Sequence, residues 1–309
     1  VGNYNTEIGL PLTVLGCPPP GRSPLAWLGI LVKGLSLIWS KHNYPEMLVL
    51  EMGADKPGDI GELVRVVEPQ VGIITAIAPT HTEQFGSVEA VAKEKGKLFR
   101  AVGRDGWLIV NYDDDEVVRL AEGSKAKIIS FGIETEGEVT IRASEISVSR
   151  TNQTATGIAG VSFKLHVGGT VTPVLLPGVI GAHQVYAALA AAGVGQIFEI
   201  NMVAVAEALR HLPPLPGRMR VLPGIKHTLI IDDSYNSSPA AAASALAALV
   251  SLDIEGKRYA VLGDMLELGG LSEAEHEKIG RWAAKSGLHA LLTVGERSRD
   301  IARGARAGR

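Results

Sequence analysis

Four apolar runs in this chain end in side chains able to do chemistry. Residues 47–50 are followed by Glu51 and Gly53, and residues 71–77 by Pro79, Thr80 and His81. Residues 228–231 lead into Asp232-Asp233-Ser234-Tyr235-Asn236, and residues 259–262 into Gly263, Asp264 and Glu267. Open parallel sheets bind ligands beyond the carboxyl ends of their strands, so these acids and this histidine point to a site along one sheet edge. Each position also has a plain structural reading. The acids can cap the next helix, and the histidine can cap a helix or fill a core.

A lysine supplies the sharpest local signal. Ser87 is a suitable N-cap for a helix running to Val102. At roughly 100° per residue, Val88, Val91, Leu98, Phe99 and Val102 share one face and Lys95 falls in the middle of it, whereas Lys93 and Lys97 fall on the solvated side. A lysine centred on an apolar stripe must snorkel, pair with an acid or be modified. Glu51, His81 and Lys95 follow consecutive expected strands, so they could converge on a divalent cation. Mg²⁺ takes carboxylates and waters and leaves phosphates to complete its shell.

A second group of polar residues lies further along. Arg218 and Asp233 could face a cleft between two units, where ligands commonly bind; a surface arginine and a helix-capping aspartate are the alternatives. Ser237, Ser238 and Pro239 suit an N-cap with proline in the first turn, and such a helix start presents free N–H groups toward an anion. Ser272 with Glu275 has the spacing of a capping box and carries no chemistry.

The elements that must position these groups are legible in the pattern. The runs 47–50, 71–77, 107–110, 127–131, 228–231, 259–262 and 291–294 are continuously apolar, as in strands buried on both faces. Helical segments between them imply right-handed crossovers and a parallel sheet. The fold class is therefore α/β: a mostly parallel, doubly wound central domain, then a partial Rossmann-like α/β unit. Residues 138–176 instead alternate polar and apolar side chains and predict antiparallel hairpins at the margin of the first domain. The proline cluster 213–217 is the natural linker, which divides the chain into residues 1–212 and 213–309. Residues 25–39, about fifteen in length, fall short of the roughly 20 needed to cross a bilayer and contain Lys33. They predict a buried or interfacial helix, with no stable membrane insertion.

Composition narrows the field. With 46% hydrophobic and 20% charged residues, the chain of 309 residues can bury a sizeable core. A net charge of -3 offers no basic footprint for nucleic acid. Cys17 is the single cysteine, which precludes an internal disulfide and points to a reducing, cytoplasmic setting. The P-loop pattern G-x-x-x-x-G-K-[ST] does not occur; the nearest match, Gly96-Lys97, lies inside the predicted helix and precedes Leu98. The opening residue is Val1, and the first dozen residues read as the middle of an element, so the chain is expected to be a fragment.

Taken together, these motifs resemble the Mur ligase family, and within it the branch that joins D-alanyl-D-alanine to UDP-N-acetylmuramoyl-tripeptide. Gly2-Asn3-Tyr4-Asn5-Thr6-Glu7-Ile8-Gly9 resembles the segment just after the family's P-loop helix. Leu50-Glu51-Met52-Gly53-Ala54 is similar to its metal-glutamate strand, Ala78-Pro79-Thr80-His81 to its histidine loop, and Lys95-Gly96-Lys97-Leu98-Phe99 to its lysine motif. Asp232-Asp233-Ser234-Tyr235-Asn236 and Gly263-Asp264-Met265-Leu266-Glu267-Leu268-Gly269 resemble segments that set this branch apart. The likeness covers nearly the whole chain.

The resemblance implies an ATP-dependent ligase that makes an amide through an acyl phosphate in peptidoglycan precursor synthesis, acting as a monomer. It implies that Lys95 is carbamoylated and ligates Mg²⁺ with His81, that Glu51 serves a second Mg²⁺ nearer ATP, and that Arg218, Asp233 and Asn236 contact ATP from the second unit. Residues 181–189, with His183 and Gln184, resemble the adenine-contacting helix, although the family has asparagine where Gln184 and Ala187 stand. The family's uridine-binding domain and P-loop are expected before Val1 and the rest of its last domain after Arg309, so this stretch alone is expected to be inactive. Two other readings stay open: another Mur or folylpolyglutamate-type ligase that adds a different amino acid, and a non-catalytic, degenerate ligase acting as a binding module.

Overall fold

The computed structural model describes residues 5–39, 44–79, 82–134 and 137–308. The first unit opens with α1 (Gly9–Val14), α2 (Pro24–Trp39) and α3 (Asp59–Val66). It continues through β1 (Val71–Ile74), α4 (Thr82–Phe85), α5 (Val88–Ala101), β2 (Trp107–Asn111), α6 (Asp115–Ala121) and β3 (Lys127–Gly132). The hairpin strands β4 (Ile141–Arg150), β5 (Ile158–Val167) and β6 (Thr170–Pro177) follow, then α7 (His183–Ile197) and α8 (Met202–Arg210). All six strands form one sheet in the order β1-β2-β3-β4-β5-β6. The first four run parallel, and β4, β5 and β6 extend the sheet as the antiparallel margin that alternating side chains predict.

The apolar run of β2 shows why continuous hydrophobicity marks a central strand. Leu108, Ile109 and Val110 are all fully buried. Leu108 and Val110 pack with Phe99 of α5 and Val117 of α6 on one face, while Ile109 packs with Leu189 of α7 on the other. Successive strand residues point to opposite faces, so a strand covered by helices on both sides needs an apolar side chain at every position. Gly193 lets α7 approach closely, because a Cβ there would stand 3.1 Å from Ile109 Cγ2.

The second unit contains β7 (Arg220–Pro223), β8 (Leu229–Asp232), α9 (Pro239–Ser251), β9 (Tyr259–Gly263), α10 (Ser272–Lys285), β10 (Ala290–Val294) and α11 (Ser298–Ala307). The β7–β8 pair is antiparallel and the β9–β10 pair parallel. These pairs form separate two-stranded sheets, and a groove of about 820 Å³ lies between the facing edges of β8 and β9. The two units share a core: Met219, Val221 and Leu252 pack into the cluster that holds Ile109 and Leu189. The Val221 amide donates to the Gly178 carbonyl at 2.9 Å, which stitches β7 to the end of the first sheet.

Three local expectations need correction. Residues 47–50 form no strand and are paired with none of the described strands. The strand expected over 71–77 ends at Ile74. Ser272 is the first residue of α10 rather than its cap, and Leu271 occupies the cap position without a side-chain hydrogen bond. His276, one turn into the helix, draws the Ser272 carbonyl to its Nδ1 at 2.6 Å, so the capping-box geometry does not form. The helix over 25–39 is present, but Ile30 is its single buried residue. No helix among the described residues is long and apolar enough to cross a membrane.

Candidate functional site

The carboxyl ends of β1 and β2 are tied into one edge. Asn111, buried at the end of β2, donates through Nδ2 to the Thr75 carbonyl at 2.8 Å. Asp114 accepts from the Ile77 amide at 2.8 Å with Oδ2, while its Oδ1 caps α6 by accepting from the Glu116 and Val117 amides. The strand-end acid thus fixes the preceding loop and starts the next helix. The signal for both residues was present in Asn111 to Asp115, which follow the run 107–110, but sequence reading passed over it.

Lys95 reaches this edge from α5. Ser87 caps that helix by accepting from the Ala90 amide at 3.2 Å, and Val91 and Phe99 are buried on its inner face, as the periodicity requires. Lys95 sits among them, partly screened from water. Burial pushes its amine below the ordinary lysine range, and the neighbouring Asp114 carboxylate opposes that shift. A lowered pKa enlarges the neutral fraction of the amine, the form that can attack CO₂ to give a carbamate. Its placement therefore suits the conversion of a cation, which would repel a metal, into an anion that attracts one.

A residue that sequence reading missed lies one position before it. Glu94 is 4% exposed, and its carboxylate accepts from the Gly58 amide at 3.0 Å, the Ile60 amide at 3.1 Å and Lys97 Nζ at 2.7 Å. Burial works against its ionisation, but the bonds from Lys97 and Gly58 outweigh that and hold the carboxyl below the usual range. Glu94 in this way closes the first turn of α3, where Gly58 adopts a positive φ of 109° and offers no side-chain cap. Lys97, expected to be merely solvated, is its ion-pair partner.

Glu51 lies on the exposed loop before α3. Asn5 Nδ2 donates to Glu51 Oε1 at 3.2 Å, and the Asn5 carbonyl accepts from the Gly53 amide at 2.8 Å, so the opening segment backs the glutamate loop. A Cβ on Gly53 would stand 3.1 Å from the Asn5 side chain, which explains a glycine there. Thr80 and His81 lie outside the described residues. The next residue, Thr82, is buried and donates Oγ1 to the Leu268 carbonyl at 3.1 Å, and the Glu83 amide donates to the Glu267 carbonyl at 3.2 Å. The start of α4 is thereby anchored to the second unit. Among the described residues, no three His, Cys, Asp or Glu side chains gather closely enough to hold a metal.

The remaining expected residues meet at the junction of the units. His183 opens α7, and its Nδ1 is buried without a hydrogen-bond partner. Burial lowers its pKa, and the nearby Asp233 carboxylate acts in the opposite sense. Asp233 Oδ1 accepts from the Met219 amide at 3.1 Å, and Asp232 Oδ2 accepts from the Gly217 amide at 3.1 Å. Arg218, between those two amides, lays its guanidinium over the Tyr235 ring at 4.1 Å. The two aspartates thus hold the turn that aims Arg218, and a stacked guanidinium over an aromatic face is suited to phosphate or purine contact. Gln184 stands beside His183, half-buried, with its amide donating to the Gly181 carbonyl at 3.2 Å. Asn236 is exposed, and its Oδ1 accepts from the Ser237 amide at 2.8 Å. The structure therefore brings His183, Arg218 and Asp233 together, places Lys95 with Asp114, and leaves Glu51 with Asn5 on a third segment.

Comparison with known proteins bears on these groups. Residues 35–195 match the Mur ligase middle domain, and residues 217–309 match the Mur ligase glutamate ligase domain. The UDP-N-acetylmuramoyl-tripeptide--D-alanyl-D-alanine ligase of Escherichia coli is 30% identical over 309 residues, covering 99% of this chain and 60% of that protein. The Bacillus subtilis ligase of the same name is 30% identical over 98% of this chain and 58% of its own length. This chain thus spans about 60% of the relatives it matches. A crystal structure of MurF from Acinetobacter baumannii superposes with a TM-score of 0.75 at 25% identity, covering 98% of this chain and 64% of that one. MurF from Thermotoga maritima, solved in complex with ADP, superposes with a TM-score of 0.68 at 22% identity and shares the fold. With its first unit matched to the middle domain and its second to the glutamate ligase domain, the chain belongs to the Mur ligase family.

Proposed function

We propose that the protein carrying this chain is an ATP-dependent ligase that joins D-alanyl-D-alanine to UDP-N-acetylmuramoyl-tripeptide in peptidoglycan precursor synthesis. The observation that carries this reading is Lys95, an amine of lowered pKa on an apolar helix face at the strand-end edge. In the reaction, a carboxylate oxygen of the tripeptide attacks the γ-phosphorus of ATP and ADP leaves. The dipeptide amine then attacks the acyl carbon, phosphate leaves, and the amine gives up a proton.

Glu51, His81 and a carbamoylated Lys95 would hold Mg²⁺, which when bound neutralises charge on the phosphate oxygens. Asp114 fixes the loop at this edge through the Ile77 amide. Arg218, stacked on Tyr235, is placed to meet nucleotide phosphate, and Asp233 orients it through the Met219 turn. His183 and Gln184 line the junction where a base would lie, and Asn236 adds an amide at its rim. The Thr82 latch to Leu268 would let the two units move as one around the nucleotide and exclude water from the acyl phosphate. We place the protein in the cytoplasm as a monomer.

The test has two arms. Phosphate release would be followed with D-alanyl-D-alanine and with single amino acids; turnover confined to the dipeptide supports the reading, whereas turnover with glutamate or another single amino acid overturns it. Binding of a fluorescent ATP analogue to this chain should weaken about tenfold in Arg218→Ala, the loss typical of one charged contact. Unchanged binding would remove Arg218 from the site.

A further inference from the structure

Helix α2 is almost uncovered. Its seat on the protein is a narrow stripe of Ala26, Ile30, Gly34 and Leu37, of which Ile30 alone is fully buried. Turned away from it, Trp27, Leu28, Leu31, Leu35, Ile38 and Trp39 are exposed by 42–84%. At roughly 100° per residue these six fall within an arc of about 120°. A soluble surface carries exposed apolar residues singly; six large ones side by side on a helix mark a contact surface.

The charges around the arc indicate what it contacts. No aspartate or glutamate occurs between Glu7 and Glu46, whereas Arg22, Lys33 and Lys41 fall in that interval. Arg22 is exposed, one turn before the helix. Lys33 lies at the edge of the seat and donates Nζ to the Gly16 carbonyl at 2.7 Å, which ties the helix down. Ser36 occupies the same edge and donates to the Lys33 carbonyl at 2.7 Å. An outward apolar arc with tryptophan near each end, flanking sequence in which every acidic or basic charge is cationic, and too little length to span are the properties of a helix lying in the plane of a bilayer interface. Cationic side chains beside such a helix add attraction to anionic headgroups.

We propose that α2 docks this protein, lying flat, on the surface of an anionic phospholipid bilayer. Sixteen residues give an in-plane contact about 24 Å long. The docking is independent of the ligase assignment, because none of its residues belongs to the candidate site.

The experiment is cosedimentation of the 309-residue chain with phosphatidylcholine vesicles, with and without phosphatidylglycerol, together with tryptophan emission. The wild-type chain should partition onto the phosphatidylglycerol vesicles with a blue shift, release as salt is raised, and bind phosphatidylcholine alone more weakly. The double substitution Leu31→Glu and Leu35→Glu should reduce partition by at least about tenfold, since each side chain loses apolar burial, and leave the far-ultraviolet circular dichroism unchanged. No partition by the wild type, equal partition onto both vesicle types, or retained binding by the double variant would overturn the proposal. So would lipid-free self-association that the same double variant abolishes, which would assign the arc to a second copy of the chain.

Discussion

The Tyr186 hydroxyl donates to Asp113 Oδ2 at 2.9 Å, joining the first turn of the helix over His183–Ile197 to the loop that leaves the central strand. The same carboxylate oxygen accepts from the Ile133 and Glu134 amides, so one acid holds together two strand ends and the helix that carries His183. Burial, reinforced by Asp113, pushes the Tyr186 phenol above its ordinary value.

Tyr186→Phe should therefore cost about 1.5–3 kcal/mol, the range for a hydrogen bond to a charged group, read from urea unfolding. The raised phenol pKa has a further consequence. Stability from this group is complete below the unfolded tyrosine pKa of about 10 and falls as pH rises beyond it. The alkaline decline should be shallower in the phenylalanine variant, and an identical pH profile would show that the bond contributes nothing.

Lys95→Met should abolish ligation and leave the fold intact or firmer, because it removes a partly buried amine whose charged form is disfavoured. The sign follows from the lowered pKa: the unfolded chain binds the proton more tightly, so wild-type stability rises with pH from the folded pKa up to about 10.4. In the methionine variant that rise should disappear. A carbamate carbon signal from ¹³C-bicarbonate in the wild type, absent from the variant, would identify the modification; its absence from active wild-type protein would remove it from the mechanism.

Glu94→Ala should cost about 1–3 kcal/mol, the penalty for leaving buried donors unsatisfied, because it leaves the Gly58 and Ile60 amides without an acceptor and strips the half-exposed Lys97 of its partner. Glu94→Gln, which keeps an acceptor, should cost less. Since the carboxyl titrates below its usual range, its contribution is present above about pH 4.3 and lost as pH falls through the folded value. Stability from urea unfolding should therefore fall more steeply from neutral to acid pH in the wild type than in Glu94→Gln, which lacks the titrating group, and the two should converge at low pH.

Gly280→Ala should destabilise the second unit by more than about 3 kcal/mol, because the new methyl would fall on the Ile301 carbonyl oxygen, where the helices over Ser272–Lys285 and Ser298–Ala307 cross. The obstruction is backbone rather than a side chain able to swing aside. Thermal unfolding that matches the wild type would show that the two helices can separate at little cost.

The amino-acid order by itself determined the features that depend on near neighbours. Continuous apolar runs located the strands at 107–110 and 127–131, because burial on both faces leaves no tolerance for polar positions. Alternation located the antiparallel margin. Ser87, Ser238 and Pro239 set helix starts through bonds spanning three residues, and the periodicity of Val91, Lys95 and Phe99 placed an amine on an inward face. Tertiary structure decided what depends on distant partners. Residues 47–50 have a strand's composition but pair with no described strand, and Ser272 has a cap's spacing but is already the first residue of its helix. Glu94 looks like one more charge on a lysine-rich helix until Gly58 and Ile60, more than thirty positions earlier, present their amides to it. The helix at Pro24–Trp39 reads by hydropathy as buried or interfacial, and only the fold puts it on the surface, because hydropathy measures how strongly a side chain avoids water and carries no information on whether anything else in the chain arrives to cover it.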